Sequence, residues 1–157
     1  MRVHRAVLPA LVVAVTLVSA AAAGPAATKQ RVVIDMKIIP KSTFALIPQQ
    51  PGALKRDTGS ISGTWKSIPP RDVMRDGQQV TIYNGGVWTL TGKRGTLTIR
   101  ERNEWVSVGN DDDVAVGTWK VVRGTGQYAG TVGKGRSGHA GLGSPWYGRY
   151  EGFLNSP

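Results

Sequence analysis

Six glycines lie within the 14 residues from 130 to 143, and this density limits the fold of the chain more than any other feature. Each glycine inside an α-helix costs about 1 kcal/mol relative to alanine, so six of them exclude a helix. In β-strands, glycine is typical of bulges, of sharp coiling and of places where a bulky neighbour approaches the backbone closely. The segment GTVGKGRSGHAGLG is therefore predicted to be curved sheet and turns.

The same region raises the question of a phosphate-binding loop, because GTGQYAGTVGKG contains G-x-G spacing and a Gly-Lys pair. A P-loop requires Ser or Thr after the lysine and a glycine five residues before the Gly-Lys pair. Here Gly135 follows Lys134, and Tyr128 occupies the earlier position. A dinucleotide fingerprint also needs a helix after its glycines, and the glycine density removes that helix. Nucleotide binding is therefore disfavoured.

The remainder of the chain has the pattern of an all-β protein. Hydrophobic and polar residues alternate most clearly in TLTIRERNEWVSV (96–108), which places Leu97, Ile99 and Glu101 on the inward face. Asn84-Gly85-Gly86 is predicted to be a tight hairpin turn, since Asn-Gly accepts positive φ. Loops are predicted at 48–59 and 69–78. The predicted strands are 32–39, 43–47, 60–66, 79–84, 87–92, 96–108, 114–122, 127–135 and 145–154.

Turn signals arrive roughly every 8–12 residues, the spacing expected of an all-β sandwich or barrel. The glycine-rich closing strands favour the barrel, because a closed sheet needs positions where strands bend sharply. The predicted fold is a single closed antiparallel β-barrel of about eight strands.

The N-terminal residues have the features of a targeting segment. The short basic start MRVHR is followed by an apolar run that ends in AAAG, an A-x-A cleavage pattern before Gly24. This predicts a secretory signal peptide over 1–23, and secretion to the extracellular space or cell envelope; a retained membrane anchor is the alternative. Residues 24–30 are predicted to be a flexible lead-in, and 31–157 the single domain.

Charge and cysteine content narrow the classes of function. The chain has no cysteine, which excludes thiol catalysis, disulfides and a lipid-anchored cysteine. Its net charge is +10, and loss of Arg2 and Arg5 with the signal peptide leaves +8. Such a charge favours anionic surfaces such as cell-wall polymers, acidic polysaccharides, lipid headgroups or nucleic acid. Because the Lys and Arg residues are spread along the sequence, a basic surface without a specific partner is the favoured interpretation.

No metal site or cofactor is expected. His139 is the one histidine after the signal peptide, which excludes a multi-histidine zinc site. A Ser-His-Asp triad is also disfavoured, since His139 lacks a G-x-S-x-G context in the chain. Asp111, Asp112 and Asp113 could offer oxygen ligands to calcium, but three consecutive side chains diverge, and a solvated turn is favoured.

Glu101 is the weak candidate for a catalytic residue. A carboxyl on the apolar inward face would have a raised pKa and could act as an acid, a base or a hydrogen-bond anchor. The favoured alternative is that the strand ends near Ile99, with Glu101 at the rim beside an arginine. Asn84 and Tyr150 are weaker candidates for polar cavity groups. Trp88 is included among the ligand-binding candidates, although core filling is its favoured role, as it is for Trp119.

The closing half of the sequence resembles a known family. GTWKVVRGTGQYAGTVGKG (117–135) with the late YGRYEGFL (147–154) is similar to allene oxide cyclase barrel-like proteins, a superfamily that includes the plant dirigent proteins. The earlier DTGSISGTW and GTLTIR also look like strands of that family. The resemblance covers about 31–157 and implies an eight-stranded antiparallel barrel with a central cavity. The matching residues are scaffold glycines, Trp119 and Tyr128, and none of the family's catalytic carboxylates is carried over.

Three functions stay open on the sequence alone. The first is non-catalytic binding of a small apolar ligand inside the barrel, since a barrel of about eight strands can hold one small ligand. The second is a cofactor-free isomerase or cyclase in the same cavity, with Glu101 as acid or base. The third is binding of a cell surface or anionic polymer through the net positive charge. Specific nucleic-acid binding and a transmembrane anchor after cleavage are not expected.

Overall fold

The computed structural model of the protein describes residues 28–38, 41–65, 71–83, 85–109, 112–141 and 145–157. The predicted signal peptide over 1–23 lies outside these residues. Within the described ranges, no helix is both long enough and apolar enough to cross a membrane.

The described residues form ten β-strands and one 3-10 turn, Gly126–Tyr128. The strands are β1 Thr28–Ile38, β2 Thr43–Pro48, β3 Asp57–Trp65, β4 Arg71–Arg75, β5 Gln78–Tyr83, β6 Gly86–Gly92, β7 Gly95–Gly109, β8 Asp112–Gly124, β9 Val132–Gly141 and β10 Trp146–Ser156.

Eight of these strands form a closed antiparallel barrel, which confirms the predicted fold class. Around the barrel the order is β7-β6-β3-β2-β1-β10-β9-β8, and pairing of β8 with β7 closes the sheet. The β7–β8 ladder runs from Leu97 opposite Gly124 to Gly109 opposite Asp112, with two register shifts. Such shifts increase local bending, which helps a sheet to close on itself.

The β4–β5 hairpin extends outside the closed barrel and corrects two predictions. The hairpin turn predicted at 84–86 is wrong, because β5 pairs with β4 and β7 and not with β6. The loop predicted at 69–78 instead contains β4 and a tight turn at Asp76-Gly77, with φ values of 51° and 79°. Positive φ at both central positions is the geometry of a two-residue hairpin, for which Asp-Gly is a preferred pair.

Several further boundaries differ from the prediction, among them the start of β3 at Asp57, inside the loop predicted over 48–59. β1 begins at Thr28, so Thr28–Gln30 belong to the barrel and not to the flexible lead-in predicted over 24–30. The Gln30 side chain explains this difference, because it is buried and its amide bonds to the backbone of Leu54 and Gln50. The strand predicted over 127–135 begins only at Val132, because the 3-10 turn precedes it.

The inward face of the barrel holds the core, and its alternation follows the sequence pattern. β1 contributes Val32, Ile34 and Met36, while β7 contributes Leu97 and Ile99, all of them buried. Other members of the same cluster, from the remaining strands, the loop before β3 and the 3-10 turn, are Phe44, Leu46, Leu54, Ile61, Trp88, Leu90, Trp119, Tyr128, Tyr150 and Leu154.

Large rings in the core lie over glycines of neighbouring strands. A Cβ atom at Gly135 would lie 2.7 Å from Nε1 of Trp119, and one at Gly152 would lie 2.8 Å from Cζ2 of the same indole. Gly135 pairs with both Trp119 and Gly152, so the ring spans two glycines along the inner wall. The late glycines thus provide space for bulky neighbours, as their density in the sequence predicts.

One end of the barrel is capped by buried polar contacts. The Asp57 carboxylate accepts hydrogen bonds from the backbone N–H groups of Lys93 and Arg94 at 3.0 and 3.2 Å, and from its neighbour Thr58 at 3.0 Å. The hydroxyl of Tyr128, fully buried, donates to Asp57 at 3.1 Å. Burial raises the pKa of Tyr128 well above its ordinary value, and the nearby Asp57 carboxylate acts in the same direction. These bonds join the start of β3, the β6–β7 turn and Tyr128 at this end of the barrel.

Candidate functional site

A polar cluster lies inside the barrel between apolar layers. Its four side chains come from four strands: Trp88 on β6, Glu101 on β7, His139 on β9 and Tyr150 on β10. All four are buried, with Glu101 only 1% exposed. The period of two along each strand brings them to the interior, and barrel closure brings the four strands around one centre.

The Glu101 carboxylate is the centre of this cluster. Its Oε2 accepts a hydrogen bond from Nε1 of Trp88 at 2.7 Å and another from the hydroxyl of Tyr150 at 2.8 Å. Its Oε1 lies 2.5 Å from Nε2 of His139. The hydroxyl of Tyr150 is also 3.2 Å from that same nitrogen. Both carboxylate oxygens are therefore bonded to side-chain donors of the protein.

These bonds determine the charge of the cluster. Burial alone would raise the pKa of Glu101, but the hydrogen bond from His139, with smaller contributions from hydrogen bonds of Asn103 and Tyr150, holds the pKa below its ordinary value. Burial, together with the adjacent carboxylate, raises the pKa of Tyr150 well above its ordinary value. Glu101 is thus an ionised acceptor and Tyr150 a neutral donor near neutral pH.

The structure corrects both sequence interpretations of Glu101. β7 continues to Gly109, so Glu101 lies in the interior and not at the rim beside an arginine. The expected rise of its pKa is also wrong in direction, because three donors reach the carboxylate and outweigh the cost of burial.

The second ring nitrogen of His139 has no hydrogen-bond partner among the described residues. Nε2 faces the acceptor-only carboxylate of Glu101, which assigns the Nε2 proton to the imidazole. Nδ1 is buried and makes no hydrogen bond among the described residues. A buried polar group without a partner costs about 1–3 kcal/mol. The imidazole is thus hydrogen-bonded at Nε2, while Nδ1 has no hydrogen bond among the described residues.

Aromatic rings surround this imidazole. Trp105 stacks on His139 with ring centroids 5.9 Å apart and an angle of 23° between the planes. The ring centroids of Trp146 and Trp105 are 5.0 Å apart, and the Trp146 side chain is only partly buried. The Nδ1–Cε1 edge of the imidazole lies over Gly148, where a Cβ atom would be 2.9 Å from both ring atoms. These contacts fix the position and tilt of the ring.

A second polar pair, Asn103 on β7 and Ser137 on β9, lies inside the barrel beside the Glu101 cluster. The hydroxyl of Ser137 donates to Oδ1 of Asn103 at 3.1 Å, and both side chains are buried. The pair meets across Gly117 of β8, which pairs with both residues and has no side chain. The polar interior therefore extends over two layers, Glu101 with His139 and Asn103 with Ser137.

Three of the four predicted ligand-site residues, Trp88, Glu101 and Tyr150, lie together in this cluster. Asn84 lies outside the described residues. His139 is not among the residues predicted from the sequence, because no known catalytic motif surrounds it. The signal that could have found it is the alternation in RSGHA, which places Ser137 and His139 on the inward face and Arg136 on the outward face.

The acidic turn offers no site of its own within the described chain. Asp111 lies outside the described residues, while Asp112 and Asp113 begin β8. The residues that the structure describes contain no group of three or more His, Cys, Asp or Glu side chains able to hold a metal ion.

No protein-family model matches the chain, and neither a curated protein nor a solved structure matches it.

Proposed function

We propose that the protein binds a small, mostly apolar molecule with one polar group inside the barrel. The observation that carries this proposal is Nδ1 of His139, a buried polar atom that has no hydrogen-bond partner among the described residues and whose ring contacts Trp105 and Tyr150. Ligand sites of this kind are largely apolar and have few polar groups, which orient the bound molecule.

The polar anchor in this proposal is the imidazole and not the carboxylate. The two oxygens of Glu101 already accept bonds from Trp88, Tyr150 and His139, so they gain little from a ligand. Nδ1 gains a hydrogen bond when a ligand hydroxyl or N–H reaches it, and the cost of its burial is then removed.

The ligand enters, in this proposal, from the end of the barrel opposite Asp57. At the Asp57 end, hydrogen bonds of the Asp57 carboxylate tie loop and strand residues together. Trp146 begins β10 at the opposite end and is only partly buried. Its indole, with that of Trp105, supplies the apolar surface that the body of the ligand would contact.

The resemblance to allene oxide cyclase barrel-like proteins and the export of the chain stay predictions. A secreted binding protein of this family type would use its barrel interior, which is where the unpartnered nitrogen lies. Protein purified from its own host should therefore carry a bound small molecule, visible by native mass spectrometry as a mass above that of the chain.

A sharper test compares 1-naphthol with naphthalene, which differ by one hydroxyl. We expect the wild-type protein to favour 1-naphthol, and His139→Phe to reduce that preference about three- to tenfold, the worth of one hydrogen bond. Trp146→Ala should weaken binding of both probes, whereas Tyr147→Ala, on the exposed outer face, should change neither. An unchanged 1-naphthol preference in His139→Phe contradicts the proposal.

A cofactor-free isomerase is the second candidate, and the Glu101–His139 pair favours it. A carboxylate that bonds one imidazole nitrogen and leaves the other free is an arrangement suited to general base catalysis. Nδ1 would take a proton from a carbon next to a carbonyl group and return it to another carbon of the same molecule. Glu101 then positions and stabilises the imidazolium and does not itself take the proton.

Conversion of a β,γ-unsaturated ketone to its conjugated isomer tests this second candidate by ultraviolet absorbance. We expect His139→Phe to abolish turnover, and Glu101→Gln to lower kcat while retaining part of the binding. A rate equal to that of buffer alone, with 1-naphthol binding intact, leaves the binding function and removes the isomerase.

A further inference from the structure

Five cationic side chains that are scattered in the sequence lie side by side on the outer face of the barrel. Arg100 and Arg102 are on β7, Lys120 is on β8, and Lys134 and Arg136 are on β9; all are exposed. We call these five residues the outer basic patch.

The register of the strands produces the patch. Arg100 pairs directly with Lys120, and Lys120 pairs directly with Lys134, which forms one row of three charges across three strands. Adjacent strands are about 4.8 Å apart, so like charges meet along this row. Arg102 and Arg136 form a second row, with Thr118 between them.

Direct pairing of like charges is unfavourable, and a protein under selection for stability alone would interleave acids. The described carboxylates nearest the patch lie at its margins. Glu104 lies beside Arg102 and Arg136, and Glu151 lies on the opposite side. Glu151 pairs directly with Arg136 across β9 and β10, and its carboxylate also bonds Arg149 at 2.9 Å and lies 3.7 Å from Arg31, so its charge is shared among three arginines.

The five side chains border a shallow depression of about 700 Å³. Gly135 and Gly152 contribute only backbone to its wall, which leaves a smooth surface between the cations. Phe153 stands at the edge and is 42% exposed, with Nζ of Lys29 at 4.4 Å from the ring centroid.

We propose that the outer basic patch binds a linear anionic polysaccharide that carries carboxylate or sulfate groups. Parallel rows of cations on a smooth sheet can contact successive charges of an extended chain. The three arginines offer planar donors that bond such oxyanions in pairs. The edge of the depression has an aromatic ring, Phe153, against which the apolar face of a sugar can pack.

Other polyanions fit the patch less well. Single-stranded nucleic acid is bound mainly by stacking of bases on aromatic rings. Among the described residues that border the depression, Phe153 is the one exposed aromatic ring, because the indole of Trp119 lies in the core at 2% exposure, so successive bases would have no series of rings on which to stack. The patch also lies on the wall of the closed barrel, across β7, β8 and β9, and therefore offers neither a helix nor a free two-stranded ribbon that could enter a major groove.

The test uses polygalacturonate, a linear polyuronate, with neutral dextran as the control polymer. We expect binding of the full chain to polygalacturonate that weakens as salt rises from about 0.05 to about 0.5 M, and no binding to dextran. Lys120→Glu/Lys134→Glu should lower affinity by at least about tenfold, because it reverses two of the three charges in the row that also contains Arg100.

The matched control is Lys37→Glu/Lys41→Glu, which changes the net charge equally on exposed residues outside the patch. It should lower the affinity less than about threefold, since screening limits interactions of distant charges. A milder variant, Lys120→Gln/Lys134→Gln, repeats the test if charge reversal alters the melting temperature.

Three results overturn the proposal: an equal loss in the matched control, equal binding of dextran, or tighter binding of a (dT)-oligonucleotide than of polygalacturonate. The interior site is tested separately, because 1-naphthol binding should be the same in all three lysine double variants. Loss of one activity without the other distinguishes the two proposals.

Discussion

Nε2 of His139 lies 2.5 Å from Oε1 of Glu101, although 38 residues separate them in the chain. β8 lies between the strands that carry them, with Trp119 opposite Glu101 and Ala115 opposite His139. The two side chains therefore meet across the interior and not between adjacent strands. The Glu101–His139 pair therefore stabilises the core and also carries the proposed ligand-binding and isomerase chemistry.

Glu101→Gln should destabilise the fold by about 1–3 kcal/mol, because a glutamine amide cannot accept all three bonds that the carboxylate accepts. It should also change the response to acid. The pKa of Glu101 is lowered from 4.5 in the folded protein, so its stabilisation is present above that value and is lost as pH falls through the folded-state pKa.

Urea denaturation between about pH 3 and pH 7 measures this effect, since the slope of stability against pH reports the linked protons. The loss of stability as the pH falls should be steeper in the wild type than in Glu101→Gln. Glu104→Gln, a neighbouring and less buried carboxylate, serves as the control. Identical acid slopes in the wild type and Glu101→Gln would show that the carboxylate is not the linked group.

Tyr150→Phe should destabilise the fold by about 1 kcal/mol through loss of the hydroxyl bond to Glu101. Because the pKa of Tyr150 is raised in the fold, its stabilisation is present below the unfolded-state pKa and is lost as pH rises above that value. The variant should therefore flatten the alkaline loss of stability. Tyr147→Phe, 54% exposed on the outer face, should leave that loss unchanged, and an equal effect in both would contradict the assignment.

Gly148→Ala should displace the His139 imidazole, because the new Cβ would be 2.9 Å from two ring atoms and 3.2 Å from Tyr150. We expect a loss of about 1–3 kcal/mol from overpacking, together with weaker 1-naphthol binding. Gly138→Ala is the matched control on the adjacent strand, since its nearest described neighbour would be 3.9 Å away. Thermal melting and probe titration compare the two, and equal effects would exclude a specific role of the space beside His139.

Asp57→Ala should lower the free energy of unfolding by about 1–3 kcal/mol, because it removes a buried acceptor and leaves its donors without a partner. The hydroxyl of Tyr128 and the backbone N–H groups of Lys93 and Arg94 would lose their partner. Asp35→Ala removes an exposed carboxylate that bonds Arg149 at 3.2 Å, and its cost should stay below about 1 kcal/mol. Chemical denaturation measures both, and similar costs would contradict the capping role.

Local sequence signals were sufficient to predict the barrel, but they did not predict which consecutive strands form hairpins. The alternation over 96–108 and the glycines over 130–143 indicate curved sheet, because both arise from the period of a strand and from steric space. The Asn84-Gly85 and Asp76-Gly77 signals are chemically similar, yet only the second forms a two-residue hairpin. Which strand β5 pairs with depends on contacts with β7, which is distant in sequence.

The candidate site shows the same division between local and distant information. Inward placement of Glu101 follows from its phase with Leu97 and Ile99 along one strand. Its partner could not be predicted in this way, because the direction of the Glu101 pKa depends on donors from three other strands. Only barrel closure brings His139 to the carboxylate.

The amino-acid sequence by itself determined that this protein is built of curved antiparallel strands, since alternation and glycine spacing act through local geometry. The tertiary structure alone decided which charges are neighbours. It turned cations that are dispersed along the chain into one patch, and it turned an isolated histidine into the partner of a buried carboxylate. The physical reason is that strand register and closure set distances between residues that are far apart in sequence.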